Sequence, residues 1–153
     1  MANTYRKIYL QLVFAVKNRQ SLLEKSWRDD VFKYISGIIN KRNHFSLAVN
    51  GVDDHIHIFF HYSGKELVED LVREIKKASS SYIKLNKLCP VKFEWQAGYG
   101  VFSYSYRQKD MIMKYVLNQE KHHEKKSFKQ EYIKELKSFE VDYKEEYVFD
   151  FFD

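Results

Sequence analysis

Two histidines one residue apart, His55-Ile56-His57, and a tyrosine one helical turn ahead of a glutamine, Tyr115 and Gln119, are the residues of this chain whose types and spacing suit chemistry. Residues 55–62 read as a strand, where side chains two apart share a face. Both imidazoles therefore project together, and Ile56 and Ile58 take the opposite, core-facing side. Such a pair can share one divalent ion, with Asp54 orienting a ring from behind; two histidines on an exposed strand face also occur as plain solvated side chains. His61 continues that face as a neighbour of the site or a solvent-facing group. Tyr115 and Gln119 stack on one face of a helix. A tyrosine hydroxyl, with an ordinary pKa of roughly 10, needs a cation-polarised electrophile before it acts as a nucleophile. An amide oxygen four residues on can add a hard ligand to an ion held by the histidines. Taken alone, the two fit better an ordinary half-buried helix tyrosine and a solvated glutamine.

The elements that must position these groups follow from hydrophobic period. Residues 5–16 are rich in β-branched and aromatic side chains and read as a first strand. Ser26 is placed to cap a helix over 27–42, where Trp27, Val31, Tyr34, Ile35, Ile38 and Ile39 recur at helical spacing. Residues 44–52 and 55–62 form strands joined by a turn at Gly51-Val52-Asp53-Asp54. A basic amphipathic helix over 65–87 places Leu67, Val68, Leu71, Val72, Ile75, Ala78, Tyr82 and Leu85 at helical spacing. Beyond Pro90, residues 91–106 are aromatic and strand-like, with a glycine break at Gly98 and Gly100. Helical spacing returns over 107–124 and again near 128–139. The order β-α-β-β-α-β followed by helices predicts an α+β fold of the ferredoxin-like or RRM-like split βαβ plan. Its central sheet is antiparallel, with helices on one face and the tyrosine on a C-terminal helix. That plan hosts many functions, so it selects none.

Composition narrows the class. A length of 153 residues with 44% hydrophobic and 31% charged residues fits one globular domain over 1–153. No apolar run is long enough for a membrane span, and the charged opening stretch is unlike a secretory signal, so a cytoplasmic protein with no membrane partner is expected. The single cysteine, Cys89, has no internal disulfide partner. Net charge is +5, unevenly spread: residues 1–128 hold 22 Lys and Arg against 13 Asp and Glu, whereas residues 129–153 hold 4 against 8. A basic body with an acidic tail suits an anionic ligand on the body, and solvated helix faces give the same pattern. His122-His123, in the basic run Lys121 to Lys126, read as phosphate contacts or as cations at a helix C-terminus. The aromatic stretch 93–106 could stack bases, or serve as core and sheet surface.

Taken in order, YRKIYLQLVFAVKNRQ, WRDDVFKYISGII, GVDDHIHIFF, LVREIKKASSSYI, FEWQAGYGVFSYS, YVLNQEKHH, KSFKQEY and the closing YVFDFF resemble the TnpA transposases of the insertion-sequence 200/605 group, single-tyrosine members of the HUH endonuclease superfamily. The resemblance covers nearly the whole chain. It implies that His55 and His57 are metal ligands, Gln119 the third protein ligand and Tyr115 the nucleophile, with Mg2+ or Mn2+ as the cofactor. The implied activity is cleavage and rejoining of single-stranded DNA at transposon ends through a 5′-phosphotyrosine link, which conserves bond energy and needs no nucleotide. The implied partners are hairpin-bearing single-stranded DNA and a second copy of the chain. Tyr104 stands where relatives often carry a small aliphatic residue, and Tyr82 where Trp is commoner. Arg73, Lys76, Lys77, Lys84, Lys87 and Lys92 are candidate contacts to the DNA backbone. A domesticated DNA-binding protein of the same fold, without transposition, is the alternative, and a water-using phosphodiesterase would make Tyr115 dispensable.

Overall fold

In the computed structural model, which describes residues 3–123 and 127–144, strand β1 (Tyr9–Ala15) is buried along its whole length. It pairs antiparallel with β3 (His55–His61) on one side and β4 (Gly100–Tyr104) on the other. Strand β2 (Phe45–Gly51) lies outside β3, so the sheet runs β2-β3-β1-β4 and is antiparallel throughout. Helix α1 (Arg28–Lys41) links β1 to β2, and α2 (Val68–Leu85) links β3 to β4. The split βαβ expectation therefore holds.

Strand period divides the sheet into two faces. Leu10, Leu12, Phe14, Ile56, Ile58 and Phe60 form the main core with Val31, Phe32, Ile35 and Ile39 of α1 and Leu71, Val72, Ile75 and Ile83 of α2. The opposite face carries Tyr9, Gln11, Val13 and Ala15 of β1 and His55, His57 and Phe59 of β3. It is covered by α3 (Lys109–Leu117) and α5 (Phe128–Ser138) through Ile112, Val116, Phe128 and Leu136, so helices lie on both faces of the sheet rather than on the single face expected, because this second face is also apolar. Burial on both faces explains why β1 reads as a nearly continuous apolar run rather than a clean alternation. It also sets the environment of the histidines, whose face is enclosed where the sequence left it exposed.

Two segments differ from their sequence readings. Of 91–106, only Gly100–Tyr104 forms a strand. The part before it touches β1 through a single bridge, Val16 with Trp95, because Trp95 turns inward: its ring meets Phe14 edge-on and its Nε1 donates to the buried Ser79 Oγ at 2.9 Å. Helix 107–124 is broken at Asn118 into α3 and the short α4 (Gln119–His123). Asn50 of β2 donates its Nδ2 to Leu117 O at 3.0 Å, and Glu120 is held at 2.8 Å by the buried Arg28 of α1. The first tie holds the end of α3 and the second fastens α4 to the body. At the expected cap, Trp27 rather than Ser26 precedes α1, without a side-chain cap bond.

Candidate active site

The turn at 51–54 brings His55 to the start of β3, and β1 supplies the partner that orients His57. His55 and His57 are 0% and 1% exposed. Their Nδ1 atoms are each engaged from outside the site, His55 with Asp54 Oδ1 at 2.7 Å and His57 with Gln11 Oε1 at 2.7 Å. An amide oxygen and a carboxylate can only accept, so each ring presents Nδ1–H outward and keeps the Nε2 lone pair for the interior. The orienting groups are themselves held. Asp54 faces Arg19 at 3.4 Å; burial alone would raise its carboxyl, but the bond to His55 and the neighbouring charges of His55 and Arg19 hold it below the ordinary value. Gln11 donates Nε2 to Tyr104 Oη at 3.0 Å, and Tyr104 donates to Glu135 Oε2 at 3.1 Å. Tyr104 thus acts as the middle link of a buried chain from α5 to His57. Burial pushes its hydroxyl pKa up, and that of the Glu135 carboxyl as well.

Helix α3 carries Tyr115 to this point. Its ring stands edge-on to His57, with centroids 5.7 Å apart, and its hydroxyl makes side-chain hydrogen bonds with Glu131 and Gln119. Burial raises the Tyr115 pKa strongly, and the nearby Glu131 carboxylate raises it further. Gln119 is fully buried just past the helix break, with Nε2 donating to Tyr115 O at 3.2 Å. The four residues singled out in the sequence therefore converge within one chain.

The structure adds a group that the sequence did not offer. Ser127 caps α5 in a reciprocal pair with Gln130, and the helix that follows stacks Phe128 flat on His55, centroids 3.9 Å apart. One turn on, Glu131, 7% exposed, places Oε1 2.9 Å from His57 Nε2 and 4.0 Å from His55 Nε2. The spacing Phe128, Glu131, Glu135 is the readable trace of this face, but nothing local distinguishes it from a surface helix. The donor set suits a small divalent cation: two imidazole nitrogens and a carboxylate oxygen lie within 4.8 Å of one another, and ligands about 2.1 Å from a common ion are themselves a few Å apart.

The expected DNA contacts fall in different settings. Lys77 is exposed and, with Lys17 and Lys76, borders a cleft of about 490 Å³ that is also lined by the half-buried Phe93 and an edge of the buried Trp95. Lys76 is turned inward, donating Nζ to Gln96 O at 2.8 Å and Gly98 O at 2.7 Å, and burial pushes its amine down to about 8. Arg73 pairs with Asp70 at 2.9 Å and Lys92 with Glu94 at 3.3 Å, while Lys84 and Lys87 are exposed near the end of α2. A second cleft, of about 310 Å³, opens beside Phe128 and is walled by Tyr99, Tyr132 and Tyr143. His61 lies at the far end of β3, with Nε2 3.3 Å from Arg6 O, away from the paired histidines. The side chains of His122 and His123 and the aromatic tail Tyr147 to Phe152 lie outside the described residues.

Comparison with known proteins decides the family. A family model described as "Transposase IS200 like" matches residues 4–119. The chain belongs to this family. Two solved structures share the fold of this IS200-like transposase. One, described as a "putative transposase" from Deinococcus radiodurans, is 20% identical with a TM-score of 0.62, over 78% of this chain and 95% of that one. The other, a REP-associated tyrosine transposase bound to a REP hairpin, is 17% identical with a TM-score of 0.55, over 77% of this chain and 70% of that one. No curated protein is significantly similar. Among the described residues of the transposase, no helix is long and apolar enough to cross a membrane. The family match ends at Gln119, so α5 and Glu131 lie beyond it.

Proposed function

We propose that this IS200-like transposase cleaves and rejoins single-stranded DNA with Tyr115 as the nucleophile. The observation that carries the reading is the contact of Tyr115 with the oriented histidine pair, edge-on to His57 and hydrogen-bonded to Glu131 and Gln119 in the same chain. In the reaction the Tyr115 oxygen attacks the scissile phosphorus, the bond from phosphorus to the 3′-oxygen breaks, and that oxygen leaves as a 3′-hydroxyl after taking up a proton. The phosphate stays on Tyr115 as a 5′-phosphotyrosine, and attack by another 3′-hydroxyl reverses the step and joins strands. The proton of Tyr115 is already directed at the Glu131 carboxylate, an acceptor in place before DNA arrives.

Mg2+ or Mn2+, held by His55 and His57 with Gln119, would polarise the phosphate and offset charge in the transition state. The outward hydrogen bonds of both Nδ1 atoms keep the two rings in the tautomer and orientation such a cation requires. The exposed Lys77 beside the cleft lined by Phe93 supplies a cation for the phosphate backbone. The hairpin in the structural relative and the family resemblance favour hairpin-bearing single-stranded DNA and a homodimer; light scattering of the chain alone and with a hairpin oligonucleotide tests the latter.

The deciding experiment incubates the full chain with labelled single-stranded DNA carrying its cognate end and Mg2+. A covalent adduct that survives denaturation and is lost in Tyr115→Phe is the expected result. An adduct that persists in Tyr115→Phe, or cleavage without any adduct, overturns the tyrosine mechanism. Binding with neither adduct nor cleavage supports the alternative of a DNA-binding protein without transposition.

A further inference from the structure

We infer that Glu131 is a protein ligand of the metal, so that the centre is built from two distant parts of the chain, β3 and α5, and closes only when α5 is seated. The inference rests on the metal-assisted reading above and extends it to a segment outside the family match, which ends at Gln119. Glu131 is a carboxylate buried to 7% exposure whose Oε1 approaches both imidazole Nε2 atoms, at 2.9 and 4.0 Å. Those nitrogens are lone-pair donors once their Nδ1–H groups are committed to Asp54 and Gln11. A buried carboxylate turned toward two lone pairs is repulsive unless a proton or a cation lies between them, and a divalent cation satisfies all three atoms at once.

The charge balance points the same way. Two neutral imidazoles and a neutral amide leave a dication uncompensated in a buried site, whereas one carboxylate halves the excess. An anionic oxygen also favours a hard ion such as Mg2+ or Mn2+ over softer competitors.

The architecture of α5 serves this placement. Its N-terminus is fixed by the reciprocal Ser127–Gln130 cap, Phe128 lies flat on His55, and Glu135 reaches the Tyr104 link to Gln11. One face of one helix thus touches both histidines, directly or through partners. Because Tyr115 is also hydrogen-bonded to Glu131, seating α5 completes the ion site and positions the nucleophile together.

The test is titration of the full chain with Mn2+ alone, without DNA, followed by calorimetry and by the Mn2+ magnetic resonance signal, for wild type and Glu131→Gln. Melting in a chelator shows whether the variant folds. The expected result is an affinity at least about tenfold weaker in Glu131→Gln, with an apo melting temperature close to wild type. Equal affinity overturns the inference. Tighter binding in the variant also overturns it, because the carboxylate would then be a plug that the ion must displace. If Glu131→Gln does not fold, amide exchange of wild-type residues 128–138 decides: protection rising on addition of Mn2+ supports the clasp, and unchanged protection overturns it. Failure here is distinct from failure of the tyrosine mechanism, since a chain can bind Mn2+ through Glu131 without forming an adduct, and can form an adduct while Glu131→Gln binds Mn2+ unchanged.

Discussion

Gln11 on β1 holds its Oε1 2.7 Å from His57 Nδ1, a diagonal contact across the β1–β3 ladder in which Gln11 faces Phe59 and His57 faces Val13. The contact fixes which nitrogen of His57 carries the proton. It is set in turn by Tyr104, whose hydroxyl accepts a hydrogen bond from Gln11 Nε2 and donates one to Glu135, so the orientation of the amide is dictated from α5.

Gln11→Leu, which keeps bulk and removes the acceptor, should therefore weaken Mn2+ binding by roughly 10–100-fold, with Nδ1 of His57 left unpaired. Nitrogen chemical shifts of His57, compared between wild type and variant, report the tautomer directly. A variant with wild-type affinity and an unchanged tautomer would show that Gln11 only fills space.

The β2–β3 turn tolerates no side chain at Gly51, where an added Cβ would run into the His55 carbonyl oxygen and Ile56 Cα. Both are backbone atoms of the strand that carries the histidines, so neither can move independently. Gly51→Ala is expected to cost about 1–3 kcal/mol, measured as a melting temperature lower by roughly 2–10 °C, and to weaken Mn2+ binding because His55 moves with its backbone.

Lys76 and Lys77 are adjacent in sequence and opposite in role. Lys77→Ala should make log Kd for single-stranded DNA less salt-dependent by about 0.7 per decade of salt, the loss of one phosphate contact, as read by fluorescence anisotropy. Lys76→Ala should leave that slope unchanged and instead lower the melting temperature. Its ammonium is spent on Gln96 O and Gly98 O, and hydrogen bonds to a charged group are worth about 1.5–3 kcal/mol. Equal slopes for both variants would contradict the assignment.

Glu66 ties the end of α1 to the start of α2. Its carboxylate accepts from Arg42 Nε at 3.1 Å and Nη2 at 2.6 Å, and His44 Nε2 lies 2.8 Å away. The bond with Arg42, aided by His44, holds its pKa below the ordinary 4.5 despite the opposing effect of burial. Because the native carboxylate keeps its charge at a pH where the unfolded chain has already bound a proton, its contribution is complete above about 4.5 and declines as pH falls through the native value. The gap in melting temperature between wild type and Glu66→Gln should accordingly be widest at neutral pH and close in acid. A gap constant with pH would remove the ionic contribution.

How much was legible in the sequence depends on whether a feature is periodic or assembled. The order of strands and helices, the shared face of His55 and His57, the carriage of Tyr115 on a helix and the family all follow from local spacing and motif, because strand and helix geometry repeats along the chain. Segment 91–99 was misread because aromatic side chains suit both a strand and a plug such as Trp95, and only its partner Ser79 on α2 decides between them. The break at Asn118 leaves no local signal, and the bond that holds the end of α3 there comes from Asn50 on β2, 67 residues away.

What the chain by itself determined is thus the set of reactive groups and the elements that bear them. What only the tertiary structure decided is their enclosure and their partners. Strand β3 presents two histidines whatever covers them, but burial, tautomer and the third oxygen come from β1 and α5. Gln11 is 46 residues from His57 in sequence, and Glu131 is farther still. Contacts across such separations leave no period to read, since they arise when two surfaces of a folded sheet and a capped helix exclude water together.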